Sequence, residues 1–397
     1  MNCVRCNKPL APGTAVCPGC HSLQPSRRRT PQIGPGTRID RGFGTYVVDA
    51  RLGAGAMGVV WRAWFFASPT GPRAGAPPEL VALKQLRSHG SLQSQFQTFF
   101  LREAEALRRL SHPNVVGFYE LFEWSPFGGV GGPPSSGASA LTLVMEYVEG
   151  CTLEDVIVRH VERARLAGHG ALPGMPFRRA WYYFEQLLGA LAATHALDIV
   201  HRDVKPSNLL IRSDGLVKLT DYGIARVAQQ ITPEEARSSP GTGAYMSPEQ
   251  VLGRPLDGRS DLYSAAVVLY EMITGKPPFP VADRSEYEVR RAQVEAPPPP
   301  LRLSLPQAPR VLDVLFARAL AKDPASRFAS AVELGEAFRA ALGMAATTSW
   351  AVQQQMSALA RDERLLPSGA RGGTEKMAEM RAAIVLGYRT AELQARA

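Results

Sequence analysis

Lysine is scarce in this 397-residue chain. It occurs only at Lys8, Lys84, Lys205, Lys218, Lys276, Lys322 and Lys376, which leaves 38 of the 45 basic residues as arginine. Each lysine invites the question of why an arginine does not serve there. Long apolar runs are also missing. The longest, Leu262 to Ile273, is broken by Ser264 and Glu271 and falls short of the ~20 residues that cross a bilayer, so no transmembrane helix is expected. The opening Met1-Asn2-Cys3-Val4-Arg5-Cys6 has no basic leader followed by an apolar stretch, which argues against a secretory signal and for a cytoplasmic location. Cysteine is limited to five residues. In a reducing compartment, cysteines at fixed spacing point to a metal before they point to disulfides.

Other features describe a chain that folds. Hydrophobic residues make up 45%, charged residues 20% and aromatics 8%, which excludes wholesale disorder. At roughly 150 residues per domain the length suggests two or three folding units. The 36 glycines and 32 prolines are too few for a low-complexity chain and belong in connecting segments. The formal charge of +9 suits an anionic partner, with nucleic acid, membrane surface, nucleotide phosphate and acidic protein all open.

Four cysteines open the chain as Cys3-x-x-Cys6 and Cys17-x-x-Cys20. A linker rich in Pro, Gly and Arg follows, and the main body begins near Gly44. Tyr46 to Val48, Val59 to Trp61 and Leu80 to Lys84 read as strands. Phe96 to Leu110 and Ala180 to His195 carry apolar residues at helical spacing. The body thus opens mostly β and continues mostly helical. Ser68 to Pro78 and Ser125 to Ala140 read as inserted loops, and a helix is possible near Met377 to Tyr388. The expected organisation is 1–22, a small cysteine-rich segment; 23–43, a basic linker; 44–342, the main domain; and 343–397, a helical or partly disordered tail.

Gly53-Ala54-Gly55-Ala56-Met57-Gly58-Val59 has the spacing G-x-G-x-x-G-x-V, in which missing side chains let backbone amides approach phosphate oxygens. A plain glycine hairpin and a dinucleotide fingerprint compete with that reading. The latter needs a helix at the third glycine, whereas Val59-Val60-Trp61 continues as a strand. Lys84 closes the strand Val81-Ala82-Leu83-Lys84, and Glu103, with Glu105 as the competitor, is placed on a helix to pair with it. Farther on, His201-Arg202-Asp203-Val204-Lys205-Pro206-Ser207-Asn208 sets polar residues between apolar flanks. Asp203 can accept a hydroxyl proton, Lys205 can neutralise charge on a phosphoryl group, and Asn208 can bind a hard cation through its amide oxygen. Thirteen positions beyond Asn208, Asp221-Tyr222-Gly223 supplies a carboxylate suited to sharing magnesium with Asn208.

With these motifs in this order, and Gly241-Thr242-Gly243-Ala244-Tyr245-Met246-Ser247-Pro248-Glu249 after them, the chain resembles the Ser/Thr protein kinases, particularly the eukaryotic-like (Hanks-type) kinases of bacteria. The resemblance covers about three quarters of the sequence. It implies an α+β, bilobal protein kinase fold with a β-rich N-lobe and a helical C-lobe. It also implies ATP and Mg2+ or Mn2+ as cofactors, and transfer of the γ-phosphate to serine or threonine hydroxyls of proteins. It assigns catalysis to Asp203, Lys205, Lys84 and Glu103. Nucleotide binding falls to Gly53, Gly55, Gly58, Val60, Ala82, Lys84, Asn208 and Asp221, with a hinge from Glu146 to Val148 after Met145. It further implies that Glu249 pairs with Arg327 and that Asp261 braces the catalytic loop. Tyr222 departs from the usual Phe, adding a hydroxyl that needs a partner or solvent, and Ser247 departs from the usual Ala. Arg202 beside Asp203 suggests control by a phosphate on Thr232, Ser238 or Ser239, with Thr242 in a structural contact to Asp203 and Lys205.

The quartet Cys3, Cys6, Cys17 and Cys20 resembles a short zinc ribbon, in which four thiolates hold Zn2+ tetrahedrally and Gly13 and Gly19 permit tight turns. The gap of ten residues is shorter than in the commoner ribbon, and a redox pair is the alternative. Two other readings stay in view. One is a catalytically weak pseudokinase scaffold acting through ribbon and tail. The other is a nucleic-acid binder using Arg27-Arg28-Arg29, which is disfavoured because the first twenty residues contain no Phe, Tyr or Trp to stack on bases.

Overall fold

The computed structural model describes residues 33–343 apart from 56–57, 71–72, 87–92, 125–139, 169–173, 223–241 and 281–284, together with Cys6, Lys8, Pro9, Gly19 and Cys20. The chain divides into two compact units, one formed by Met1–Gln97 and Glu120–Val144, the other by Thr98–Tyr119 and Met145–Ala397.

The first unit is built on a six-stranded sheet. Its strands are β1 (Arg38–Arg41), β2 (Gly44–Ala54), β3 (Gly58–Ala67), β4 (Glu79–Leu86), β5 (Phe118–Trp124) and β6 (Ala140–Glu146), in the order β1-β2-β3-β4-β6-β5. Valine, tryptophan and phenylalanine fill β3 because branched and aromatic side chains pack well on a pleated surface. Register sorts them by face. Trp61 lies opposite Leu83 and Ala63 opposite Val81, and these join Ile39, Tyr46, Val48, Phe65, Phe122, Trp124 and Val144 in the core of this unit. The alternate set, with Val60 opposite Lys84 and Arg62 opposite Ala82, therefore occupies the other face. Tyr46 ties strands within this sheet: its ring lies 4.9 Å from that of Phe65 on β3, and its hydroxyl donates to Glu120 Oε1 on β5 at 2.6 Å.

The second unit receives α1 (Gln93–Arg109) and contains α2 (Leu153–Ala167), α3 (Phe177–His195), α4 (Pro248–Val251), α5 (Gly258–Thr274), α6 (Glu286–Glu295), α7 (Arg310–Ala319) and α8 (Ala331–Ala341). A small sheet, β7 (Gly150–Thr152), β8 (Leu209–Arg212) and β9 (Val217–Leu219), completes it. Thr152 and Asp155 form a capping box at the start of α2, supplying partners for backbone amides that the helix itself leaves unmet. The longest apolar run of the sequence becomes α5, buried on nearly every side with Asp257 as its N-cap and Gly275, at φ +76°, closing it. An all-round apolar helix is what a core helix looks like. Among the described residues no helix is long and apolar enough to cross a membrane.

The sequence-based strands and helices are present and longer than expected. Lys84 lies inside β4 and not at its end, because Gln85 and Leu86 continue the ladder with Val59 and Gly58. Strands β5 and β6 flank the second inserted loop, whose residues 125–139 lie outside the described set, as do the linker at 23–32 and the tail at 344–397.

Candidate catalytic site

In the first unit the glycine motif joins β2 to β3. Gly53 pairs with Val60 and Ala54 with Val59, and the Gly55 amide donates to the Gly58 carbonyl at 2.9 Å, so the motif is a hairpin with no helix at its third glycine. The three glycines differ physically. A Cβ at Gly58 would lie 2.3 Å from the Gln85 carbonyl oxygen, so strand packing itself demands glycine there. A Cβ at Gly53 or Gly55 would meet no heavy atom within 4 Å. At these two positions the missing side chain serves no contact inside the protein and leaves space. Val60, Ala82 and Lys84 share the sheet face opposite the core, and Lys84 is 7% exposed.

In the second unit, Glu103 on α1 is 1% exposed, while its competitor Glu105 is exposed and engaged with Arg108 at 2.9 Å. Of the two acids, Glu103 is thus the one withdrawn from water.

The segment His201–Asn208 is held by a dense hydrogen-bond set. Asp261, buried on α5, accepts from the His201 amide through Oδ2 and from the Arg202 amide through Oδ1, both at 2.8 Å. His195, at the end of α3, lies 2.8 Å from the same Oδ2 through Nε2. His201 is fully buried, and its two ring nitrogens have fixed roles. Nε2 donates to the Thr220 carbonyl at 3.1 Å and Nδ1 accepts from the Asp203 amide at 3.3 Å. That pattern requires the neutral ring, and burial correspondingly pushes its pKa down. The backbone takes positive φ at Arg202 (+68°) and Asp221 (+58°), neither of them glycine. Such conformations persist only where surrounding bonds over-determine them.

These bonds orient Asp203. Its Oδ2 faces Lys205 Nζ at 3.1 Å and accepts from Asn208 Nδ2 at 3.0 Å, while the same amide nitrogen donates to the Asp203 carbonyl at 2.9 Å. With its NH2 committed to Asp203, Asn208 retains its amide oxygen as an acceptor. The Thr220 amide donates to the Asn208 carbonyl at 3.0 Å, which tethers the residue before Asp221 to the catalytic loop. Tyr222 follows with its ring centroid 4.4 Å from that of His201 and its hydroxyl 2.9 Å from Thr194 Oγ1.

Two further networks support this core. Glu249 and Arg327 make a buried bidentate pair with both contacts at 2.7 Å. Gln250 Nε2 donates to the Arg202 carbonyl at 2.8 Å, joining α4 to the loop. At the start of the expected hinge, Glu146 Oε2 accepts from Lys218 Nζ at 2.7 Å and from the Gly117 amide at 3.0 Å. Sequence reasoning missed Lys218, His195 and Thr194. Their partners lie tens of residues away in the chain, and no local pattern announces them. The side chain of Thr242, and residues Thr232, Ser238 and Ser239, fall outside the described set.

Among the described residues no cluster of three or more His, Cys, Asp or Glu side chains is arranged to hold a metal ion. Cys6 and Cys20 are described and partly exposed, whereas Cys3 and Cys17 lie outside the described residues.

Comparison with known proteins agrees with this geometry. Residues 46–337 match the protein kinase domain family. The chain is 36% identical over 256 residues to a probable serine/threonine-protein kinase PknB of Bifidobacterium longum, covering 64% of this chain and 34% of that protein. It is 32% identical over 312 residues to the serine/threonine-protein kinase PknJ of Mycobacterium tuberculosis, covering 78% of this chain and 47% of the relative. The chain therefore spans between a third and a half of the length of these relatives. The crystal structure of the C20A mutant of the Mycobacterium tuberculosis PknI kinase domain matches with a TM-score of 0.54 at 26% identity, covering 79% of this chain and 100% of that one. With a β-sheet lobe, a helical lobe and a family match over most of its length, the chain belongs to the protein kinase family.

Proposed function

We propose that the protein is an ATP-dependent serine/threonine protein kinase. The observation that carries this reading is the setting of Asp203: a carboxylate oriented by Lys205 and Asn208 on a loop clamped by Asp261. The curated relatives bear the name serine/threonine-protein kinase, and Lys205 occupies the position expected of that class. In the transfer step the acceptor hydroxyl oxygen bonds to the γ-phosphorus of ATP as the bond to the ADP oxygen breaks, and the hydroxyl proton passes to Asp203. Lys205 balances charge on the moving phosphoryl group. Little covalent chemistry falls to the protein; positioning and charge neutralisation supply the rate.

The residues fit a metal-bound triphosphate. Gly53 and Gly55 leave open space on the hairpin, and Val60, Ala82 and Lys84 form one face of the sheet beside it. Lys84, with Glu103 as its partner in this reading, holds phosphate. Glu146 to Val148 supply the backbone edge for adenine. Asn208 and Asp221 offer hard oxygen ligands for Mg2+ or Mn2+, which when bound neutralises triphosphate charge. Transfer of label from γ-labelled ATP to protein serine or threonine tests the reading. The wild-type chain transfers it and Asp203→Ala, folded to the same extent, does not. Undiminished transfer by that variant would falsify the assignment, and Mg-dependent ATP turnover separates an enzyme from a scaffold.

Control by phosphorylation accompanies this proposal. Arg202 is half-buried, and burial lowers its pKa against the opposing charge of Asp261, with the neighbouring charge of Arg102 lowering it further. Its Nε is buried without a hydrogen-bond partner among the described residues. A phosphate on Thr232, Ser238 or Ser239 supplies the dianion such a pair of guanidinium groups favours.

The first 22 residues are proposed as a zinc ribbon that contacts a protein partner. Supporting this, a Cβ at Gly19, beside Cys20, would lie 3.1 Å from Lys8 Cδ, and Lys8 follows Cys6 by two residues.

A further inference from the structure

A cavity of about 440 Å³ lies in the second unit, bordered by the end of α3 and the starts of α5 and α8. That volume falls within the ~300–1,000 Å³ of small-molecule sites. Short side chains make the room: Ala192, Ala196, Ala329 and Ala331, with Val332, form the apolar part of its wall.

The polar part of the wall carries little uncommitted charge. Asp257 and Arg259 neutralise each other, with Arg259 Nη2 2.6 Å and Nε 3.0 Å from Asp257 Oδ2, and Arg259 Nη1 donates to the Pro324 carbonyl at 3.4 Å. His195 is different. Its Nε2 lies 2.8 Å from Asp261 Oδ2, and a carboxylate only accepts, so Nε2 carries the ring proton and the neutral ring keeps Nδ1 as an acceptor. Among the described residues nothing donates to Nδ1. A Cβ at Gly258 would lie 2.8 Å from this nitrogen, so the glycine that opens α5 leaves it uncovered. The cavity wall is thus one hydrogen bond away from the carboxylate that holds the His201 and Arg202 amides.

We propose that this cavity is a binding site for a small uncharged molecule with an apolar body and one O–H donor, the donor bonding to His195 Nδ1. The alanine wall covers the body. The compensated Asp257–Arg259 pair asks for no charge, because a ligand charge there would lose its water without gaining a free counter-ion. None of these wall residues belongs to the proposed nucleotide set, so the site stands independently of the kinase reading.

The test uses the full chain with its alanine methyl groups labelled for NMR, and phenol as the probe. Phenol shifts the Ala192 and Ala331 methyl signals saturably, with half-saturation on the order of 1 mM. Toluene keeps the ring but lacks the donor, and benzoate adds a charge; each binds about tenfold more weakly. Ala196 is exposed with helical φ of −62°, so Ala196→Leu is tolerated by the backbone and fills the cavity, weakening phenol binding at least about tenfold. Ala329→Leu fills it from another wall, also at an exposed position, and guards against misfolding of the first variant. Methyl signals that phenol leaves unmoved, or phenol binding unchanged in both variants, overturn the site. Toluene or benzoate binding as tightly as phenol overturns the proposed ligand class. Phosphate transfer by the wild type is read separately, so failure here leaves the kinase reading standing.

Discussion

The hydroxyl oxygens of Tyr222 and Thr194 lie 2.9 Å apart inside the helical unit, and Thr194 Oγ1 also lies 2.8 Å from the Ala190 carbonyl. Thr194 donates to that carbonyl and therefore accepts from Tyr222. The phenol that the sequence leaves in need of a partner finds it one helix away, with Tyr222 1% exposed.

This polarity makes the two deletions unequal. Tyr222→Phe removes a donor and leaves Thr194 bonded to Ala190, costing about 0.5–1.5 kcal/mol. Thr194→Val leaves the Tyr222 hydroxyl buried without an acceptor and costs roughly 1–3 kcal/mol. Urea unfolding of both variants reads the difference, and an equal loss contradicts the assigned direction.

Glu249 and Arg327 are 4% and 3% exposed. Burial alone raises the carboxyl pKa, but hydrogen bonds from Arg327 and Ser260 outweigh it and hold the group below its ordinary value. Removing the cation strands a buried charge, so Arg327→Met destabilises the protein by about 3–5 kcal/mol at neutral pH. Since the folded pKa is the lower one, the pair's contribution is complete above the ordinary carboxylate range and disappears as pH falls through the folded value. Thermal melts of wild type and Arg327→Met taken down to acid pH should converge; parallel curves contradict this account.

Glu271 shows the opposite sign. Burial, with the charge of Glu154, pushes its pKa up to about 7, against the hydrogen bond that Tyr245 donates at 2.7 Å. In the folded state it keeps its proton from its ordinary 4.5 up to about 7, a range in which the unfolded chain has already released it. Stability therefore declines as pH rises through that window. Glu271→Gln removes the decline and stabilises the protein above pH 7 by on the order of 2 kcal/mol. Unfolding midpoints of both proteins between pH 4.5 and 8 decide it, and a wild-type slope retained by the variant refutes it.

For the cysteine-rich start, elemental analysis of freshly purified protein is expected to find about one zinc per chain, lost on replacing Cys6 and Cys20 by serine. In the proposed ribbon, metal binding would supply most of the folding energy of so short a segment. Zinc-free protein with all four thiols titrating rejects the ribbon.

The sequence by itself picked out the candidate chemistry-bearing residues: Lys84, Glu103, Asp203, Lys205, Asn208 and Asp221 are readable because each proposed role admits few residue types and each lies in a short local motif. It also determined the change from a β-rich opening to a helical remainder, since periodicities of two and 3.6 are local properties. Only the tertiary structure decided how the catalytic loop is supported. His195 and Asp261 are 66 residues apart and Lys218 and Glu146 are 72, while the Glu249–Arg327 pair, 78 residues apart, was implied by the family resemblance and by no local spacing. Nor did the sequence reveal that the Leu262–Ile273 run is the central helix against which these elements lock, or that Gly58 is required by packing while Gly53 and Gly55 leave open space. Contacts of that reach depend on how the whole chain closes around its core, and no window of neighbouring residues contains them.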